Sequence, residues 1–320
     1  MRPVSRGAVF WGAALVTAGV VVLAIQQGWI SDDLLGQAAQ WWPLFLIGAG
    51  VAIIFAGTLG VIATAAAGIL LGLLVGGLIG GGATSLSACG PGEPGPLQAY
   101  ENGSFSDTAA VEVDLNCVSL QVAGGAGNDW SVEVDEDSAD RIELSAGDSG
   151  LDLQSDDPGV GSHRLNVGVI IPADEGSSLS SSLNAGEATF DLSDGDWGEV
   201  DLSGNAVAIH VNLSGADAES FQASMNAGAM DIELSSGTSL ESRQLRANAG
   251  SFEVCAPDDI GLAITVGSSV ATGHNLDEEG LSQDGDVWRT PGFASASTQI
   301  EIMFSGNAAA FTLNPEGDCS

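Results

Sequence analysis

The second half of this sequence repeats itself. "LNAGEATFDLSDG", "GNAVAIHVNLSG", "MNAGAMDIELSSG" and "ANAGSFEVCAP" align on Asn184, Asn205, Asn226 and Asn248, at spacings of 21, 21 and 22 residues. A period of that length marks a unit that cannot bury an apolar face alone and must stack on its neighbours. Four residues past each asparagine stand Ala188, Ile209, Met230 and Phe252, and six past stand Phe190, Val211, Ile232 and Val254. Polar residues such as His210, Asp231 and Glu253 fall between them, so this stretch alternates inward and outward as a strand does. A second apolar stretch precedes each asparagine, as in Val200 and Leu202 or Phe221 and Met225. Each unit is therefore read as two short strands, with one corner at Asn and another in the Ser/Gly/Asp cluster.

Stacked asparagines at such a corner bond to one another or to backbone groups. Gly186, Gly228 and Gly250, two residues on, permit a left-handed corner. Asn205 is followed by Ala206 and Val207 and departs from that pattern. "NCVSLQV" from Asn116 and "TQIEIMFSGNAAAFTLNP" around Asn307 fit the same template, while Gly267 to Gly292 reads as a longer excursion. The expected fold is an all-β domain over 100–315, a β-solenoid or rack of stacked two-strand repeats of about 21 residues.

The front of the chain is a different material. Of 42 acidic residues only Asp32, Asp33 and Glu93 precede residue 99, and no lysine occurs anywhere. Gly7 to Ile25 is an uncharged run of 19 residues, about 30 Å as a helix and enough to cross a bilayer. Leu44 to Gly80 is too long for one crossing and reads as two helices turning near Gly57 to Gly60. Arg2 and Arg6 favour a cytoplasmic N-terminus, and Trp29, Trp41 and Trp42 suit an interface. Three crossings then place the acidic domain outside the cell membrane; two would place it inside. The expected organisation is a transmembrane region over 1–83, a Gly/Pro-rich linker over 84–99, the β domain over 100–315 and a tail over 316–320.

A formal net charge of −35 excludes nucleic acid as a partner, because phosphates repel such a surface and no basic stripe exists to release their counterions. It also disfavours anionic lipid headgroups. "LSAC" ending at Cys89 resembles a bacterial lipobox, and makes Cys89 a lipidation candidate; the plain alternative is a linker containing a cysteine. An even count of four cysteines outside the membrane suggests disulfides. Cys117, Cys255 and Cys319 are candidates, three pairings are possible, and Cys255 with Cys319 is favoured only because both lie near the C-terminal end.

Catalytic chemistry finds little support. His163, His210 and His274 are the only histidines, with His210 on an outward strand position and the others in loops. None has the pattern of a nucleophile's base, and no compact His/Cys spacing suits zinc. "GGAGND" at Gly124 to Asp129 matches one unit of a calcium-binding roll, but such rolls need tandem copies, so a turn is the better reading. "DEDSAD" at Asp135 to Asp140 reads as a solvated edge. Trp130, Trp197, Trp288 and Tyr100 are the main aromatics that could line a sugar groove. The expectation is a protein without enzymatic activity, metal or cofactor.

"VGVIIPADEG", "SLNAGEATFDLS", "NAGSFEVCAPDDIGLAI" and "DVWRTPGFASASTQIEI" resemble the bacterial "putative adhesin" or toast-rack domains. "RGAVFWGAALVTAGVVVLA" and "WWPLFLIGAGVAIIF" are similar to the helices of the cell-wall-active-antibiotic response (Lia-type) membrane proteins. That resemblance implies a multi-pass protein of the bacterial cell membrane that senses or modulates envelope stress beside a membrane sensor kinase or other envelope component. A surface adhesin or structural module tethered to the membrane, as a lipoprotein if Cys89 is lipidated, is the alternative.

Overall fold

Alternation of apolar and polar residues at period two makes strands, and stacking the repeats gives every strand a neighbour of its own kind. The computed structural model describes Cys89 and residues 95–155, 164–174, 176–267 and 273–315. The expected membrane-crossing runs, His163 and Cys319 lie outside the described residues. Among the described residues, no helix is long and apolar enough to cross a membrane. The chain divides into two units after Ser87, and all the strands among the described residues lie in the second.

Four long strands form the centre: β8 (Ser177–Asp191), β9 (Asp196–Asn212), β10 (Asp217–Glu233) and β11 (Ser239–Cys255). They run parallel and in register, with Ile209 beside Met230 and Met230 beside Phe252. Each repeat is thus a single strand carried through the asparagine rather than two strands with a break. Burial shows the bend: alternation holds up to Gly204, slips at exposed Asn205 and Ala206, and resumes at buried Val207. The backbone register likewise passes from Met225–Gly204 to Ala227–Ala206 and omits the asparagine pair.

The bend lets the four strands take part in two runs of pairing. Ahead of the asparagines, the flanking strands are β2 (Ala110–Leu115) and β6 (Gly150–Ser155) at one end. At the other end they are β16 (Thr298–Gly306) and β12 (Ile260–Val266). Past the asparagines they are β3 (Val118–Gly125) and β7 (Leu165–Pro172), then β17 (Ala310–Leu313) and β13 (Gly273–His274). Sequence order and spatial order part company here, because β16 and β17 lie between β11 and the earlier strands β12 and β13. The β2/β3 layer similarly sits between β8 and the later β6/β7.

Antiparallel strands finish the ends, where an open parallel edge would invite another chain. They are β1 (Gln98–Ser104) on β4 (Asp129–Val134), β5 (Ile142–Ala146) on β6, and β14 (Ser282–Asp284) on β15 (Val287–Arg289). β15 also pairs antiparallel with β12, within the excursion the sequence suggested.

One contiguous core runs through the stack. Phe190, Val211 and Val254 are wholly shielded from solvent, and Phe252 meets Phe304 edge-on with ring centroids 6.0 Å apart. Burying each such ring contributes about 2–3 kcal/mol. Trp197 is also wholly buried and donates its indole N–H to the Leu192 carbonyl at 2.9 Å. Trp130 and Trp288 are buried as well, so these three tryptophans are core residues rather than an aromatic platform. His274 lies in β13, half-buried, with its ring 5.0 Å from that of Trp288, and is not a loop residue.

Candidate functional site

A strand that bends at the same residue in every layer leaves a concave seam across the layers. Here the seam is paved by side-chain amides. Asn184 donates Nδ2–H to Oδ1 of Asn116, Asn205 to Asn184, and Asn226 to Asn205. Asn248 donates to Asn226 at 2.6 Å and Asn307 to Asn248 at 3.0 Å. Six asparagines therefore form one continuous ladder that takes the place of the omitted backbone pairing. Each of the four interior amides spends one N–H and one lone pair along the ladder, which leaves the other N–H and lone pair for solvent or a ligand.

Beside the ladder lies a row of short polar side chains. Ser182, Ser203 and Ser224 stand in register on β8, β9 and β10, followed by Arg246 on β11 and Ser305 on β16. Asn205, Asn226, Asn248 and Asn307 of the ladder, together with the row, line a groove of 680 Å³. Five strands at sheet spacing make it about 19 Å long. Among the described residues no carboxylate lines it, whereas Glu112, Asp152, Glu199 and Asp201 line a groove of 570 Å³ and Glu187, Asp191 and Asp231 one of 550 Å³. Arg246 brings the only formal charge among the residues lining the seam, and its guanidinium also donates to Oε1 of Gln244.

Asp201 stands at the margin of this region. Burial pushes its carboxyl above the usual 3.8, the nearby Glu199 adds to the rise, and Arg246 opposes it. Folding therefore favours the protonated acid. The charged form opposes folding above its folded-state pKa, and the opposition vanishes as pH falls below the unfolded value. Asp201→Asn is expected to stabilise the domain at neutral pH by less than about 1 kcal/mol, since solvent screens the site. Urea midpoints at about pH 7 and about pH 3 check the sign, because the gain should be lost at the lower value.

A second construction holds Cys89 and Gly95 against the β domain. Cys89 and Cys117 form a disulfide with Cα atoms 5.1 Å apart, buried with Ala185 in a small cluster of its own. A sulfur so bonded has no valence left for a thioether, so this disulfide and lipidation of Cys89 exclude one another. Cys117 pairs with Cys89 rather than with Cys255 or Cys319. Cys255 is itself disulfide-bonded.

Six residues beyond Cys89, Gly95 is clamped from both sides. Its N–H donates to Oδ2 of Asp135 at 3.2 Å, and its carbonyl accepts from Nδ2 of Asn166 at 2.6 Å. Ser138 Oγ accepts the Asn166 N–H at 3.2 Å. Asp135 and Ser138 are buried, so "DEDSAD" is in part a built polar contact and not a solvated edge. Sequence reading missed Asp135, Ser138 and Asn166. Only Asn166, a lone amide inside the apolar run "LNVGVIIP", carried a hint of a special position.

The remaining suspects take ordinary places. "GGAGND" ends β3 and turns into β4, with the Gly127 N–H bonded to Asp174 Oδ2 at 2.8 Å. His210 Nε2 lies 3.7 Å from Glu233 Oε1 on the outer face. Among the described residues, no group of three or more His, Cys, Asp or Glu side chains is placed to hold a metal ion.

These features define a class: an all-β domain of stacked parallel strands, preceded in the sequence by an apolar front segment. Residues 9–54 match the family described as the LiaI-LiaF-like transmembrane region, so the front of the chain carries a membrane region of that kind. Among solved structures, a "putative cell adhesion protein" from Clostridium sporogenes is 13% identical, covers 68% of this chain and 99% of its own, and has a TM-score of 0.39. A "putative adhesin" from Parabacteroides merdae is 13% identical over 68% of this chain and 96% of its own, with a TM-score of 0.23. One from Bacteroides fragilis is 10% identical over 68% and 97%, with a TM-score of 0.24. Likenesses at these scores carry no inference for this chain. No curated protein matches it.

Proposed function

We propose that this is a non-enzymatic, multi-pass membrane protein whose extracytoplasmic β domain, a rack of bent strands in the manner of a β-solenoid, reports the state of the cell envelope to a membrane partner. The fastened linker is the observation that carries this reading. A freely jointed Gly/Pro tether dissipates force and orientation, whereas one pinned at Cys89 and again at Gly95 passes them on. The boundaries we assign are a transmembrane region over 1–83, the linker over 84–99, the β domain over 100–315 and a tail beyond. Disulfides suit an oxidising compartment, which supports three crossings and a domain outside. A membrane sensor kinase is the partner class that the membrane region suggests. The seam offers no carboxylate to serve as general acid or base, which favours binding over catalysis.

The "LSAC" context of Cys89 keeps one alternative specific: a lipid-tethered adhesin cut free of its helices. Intact mass of C-terminally tagged protein extracted from membranes separates the two. A full-length species, 32.1 kDa before the tag, supports the sensor, and a shorter one beginning at a diacylated Cys89 overturns it. Deleting the gene should then change envelope-stress transcription under cell-wall antibiotics, and an unchanged response would sink the signalling role.

A further inference from the structure

The described lining of the seam offers an anion one arginine and no carboxylate, with Asp201 at its margin. With a formal net charge of −35 on the chain, a groove of 680 Å³ that excludes Asp and Glu and admits one arginine is a selective feature. A site for neutral sugars would gain from carboxylates, which accept strongly from hydroxyls, and the neighbouring grooves have them in abundance. We propose that the asparagine seam binds a linear acidic glycan, its carboxylate held by Arg246 and its hydroxyls by the Ser182, Ser203, Ser224 row and the free amide positions of the ladder.

The chemistry fits on three counts. Guanidinium is a planar fork that pairs with carboxylate in two parallel bonds, and it keeps its charge at any physiological pH. Serine hydroxyls and asparagine amides each both donate and accept, as sugar hydroxyls require. Their repeat along the groove is the strand spacing of about 4.8 Å, comparable with the length of one pyranose unit, so a regular polymer meets equivalent groups at successive layers. Stacked repeats offer extended concave surfaces of this kind. No aromatic ring is among the described residues that line the seam, so hydrogen bonds and charge rather than stacking supply the affinity. The assignment stands whether or not the domain signals through its linker.

The test titrates detergent-solubilised full-length protein with oligo-mannuronate, with a neutral cello-oligosaccharide of equal length and linear inorganic polyphosphate as comparisons. Binding of the uronate is expected, weakening as salt rises through the loss of Coulomb attraction. Arg246→Ala should weaken it about tenfold, Arg246→Lys less, and Ser224→Asp should abolish it while leaving the urea midpoint unchanged. Failure of the uronate to bind overturns the proposal. So does binding that ignores both Arg246→Ala and Ser224→Asp, or a clear preference for the neutral sugar or for polyphosphate.

Discussion

Gly228→Ala is expected to destabilise the β domain by about 3–5 kcal/mol. Gly228 sits just past the Asn226 corner with φ at 122°, where an L side chain is strained in itself. A Cβ there would lie 2.1 Å from the Val207 carbonyl oxygen on the adjacent strand. That oxygen belongs to a backbone ladder and cannot swing aside as a side chain would, so β9 and β10 must separate locally. Gly250 provides the control, for its φ is not positive and a Cβ there would meet the Gly228 carbonyl at 3.0 Å. Gly250→Ala should cost about 1 kcal/mol or less. Urea denaturation followed by far-ultraviolet circular dichroism reads both, and equal midpoints for the two variants would refute the close approach at Gly228.

Removing the linker disulfide is the second large effect. The bond closes a sequence separation of 28 residues, and a loop of that size corresponds to about 3.5 kcal/mol of chain entropy withheld from the unfolded state. The double variant Cys89→Ser, Cys117→Ser is the proper test, because a reductant would also attack the bond at Cys255. A fall in urea midpoint of that size is expected, together with new proteolytic cleavage between Cys89 and Gly95. If the linker stays resistant, the clamp from Asp135 and Asn166 holds it unaided, and the disulfide is redundant for fastening.

Much of the interior is legible in the residues alone. Those four and six past each asparagine are buried in every central layer, from Ala188 and Phe190 to Phe252 and Val254. Strand alternation leaves an unmistakable period-two record, and the fixed spacing turns four such records into one stack. The seam is half legible. Asn184, Asn205, Asn226 and Asn248 announce themselves by alignment, but Arg246 carries no repeat signature and is recognised only by its register with Ser224 and Ser305. Gly186 and Gly228 take the positive φ, whereas Gly250 shares the motif and does not. A local motif permits a conformation, and the neighbouring strand decides whether it is used.

By itself, then, the sequence determined the layers: which residues face inward, where the chain turns, and that an apolar front precedes an acidic, strand-rich back. Those properties depend on near neighbours and on a period that any stacking must respect. Only the tertiary structure decided the order of the end layers, with β16 and β17 slipping between β11 and the strands β12 and β13, and the partners of Cys89 and Gly95. Parallel layers of similar outline accept one another in several orders at little difference in local energy. The choice falls to long-range terms, the covering of open edges and the pairing of buried polar groups, which no window of sequence contains.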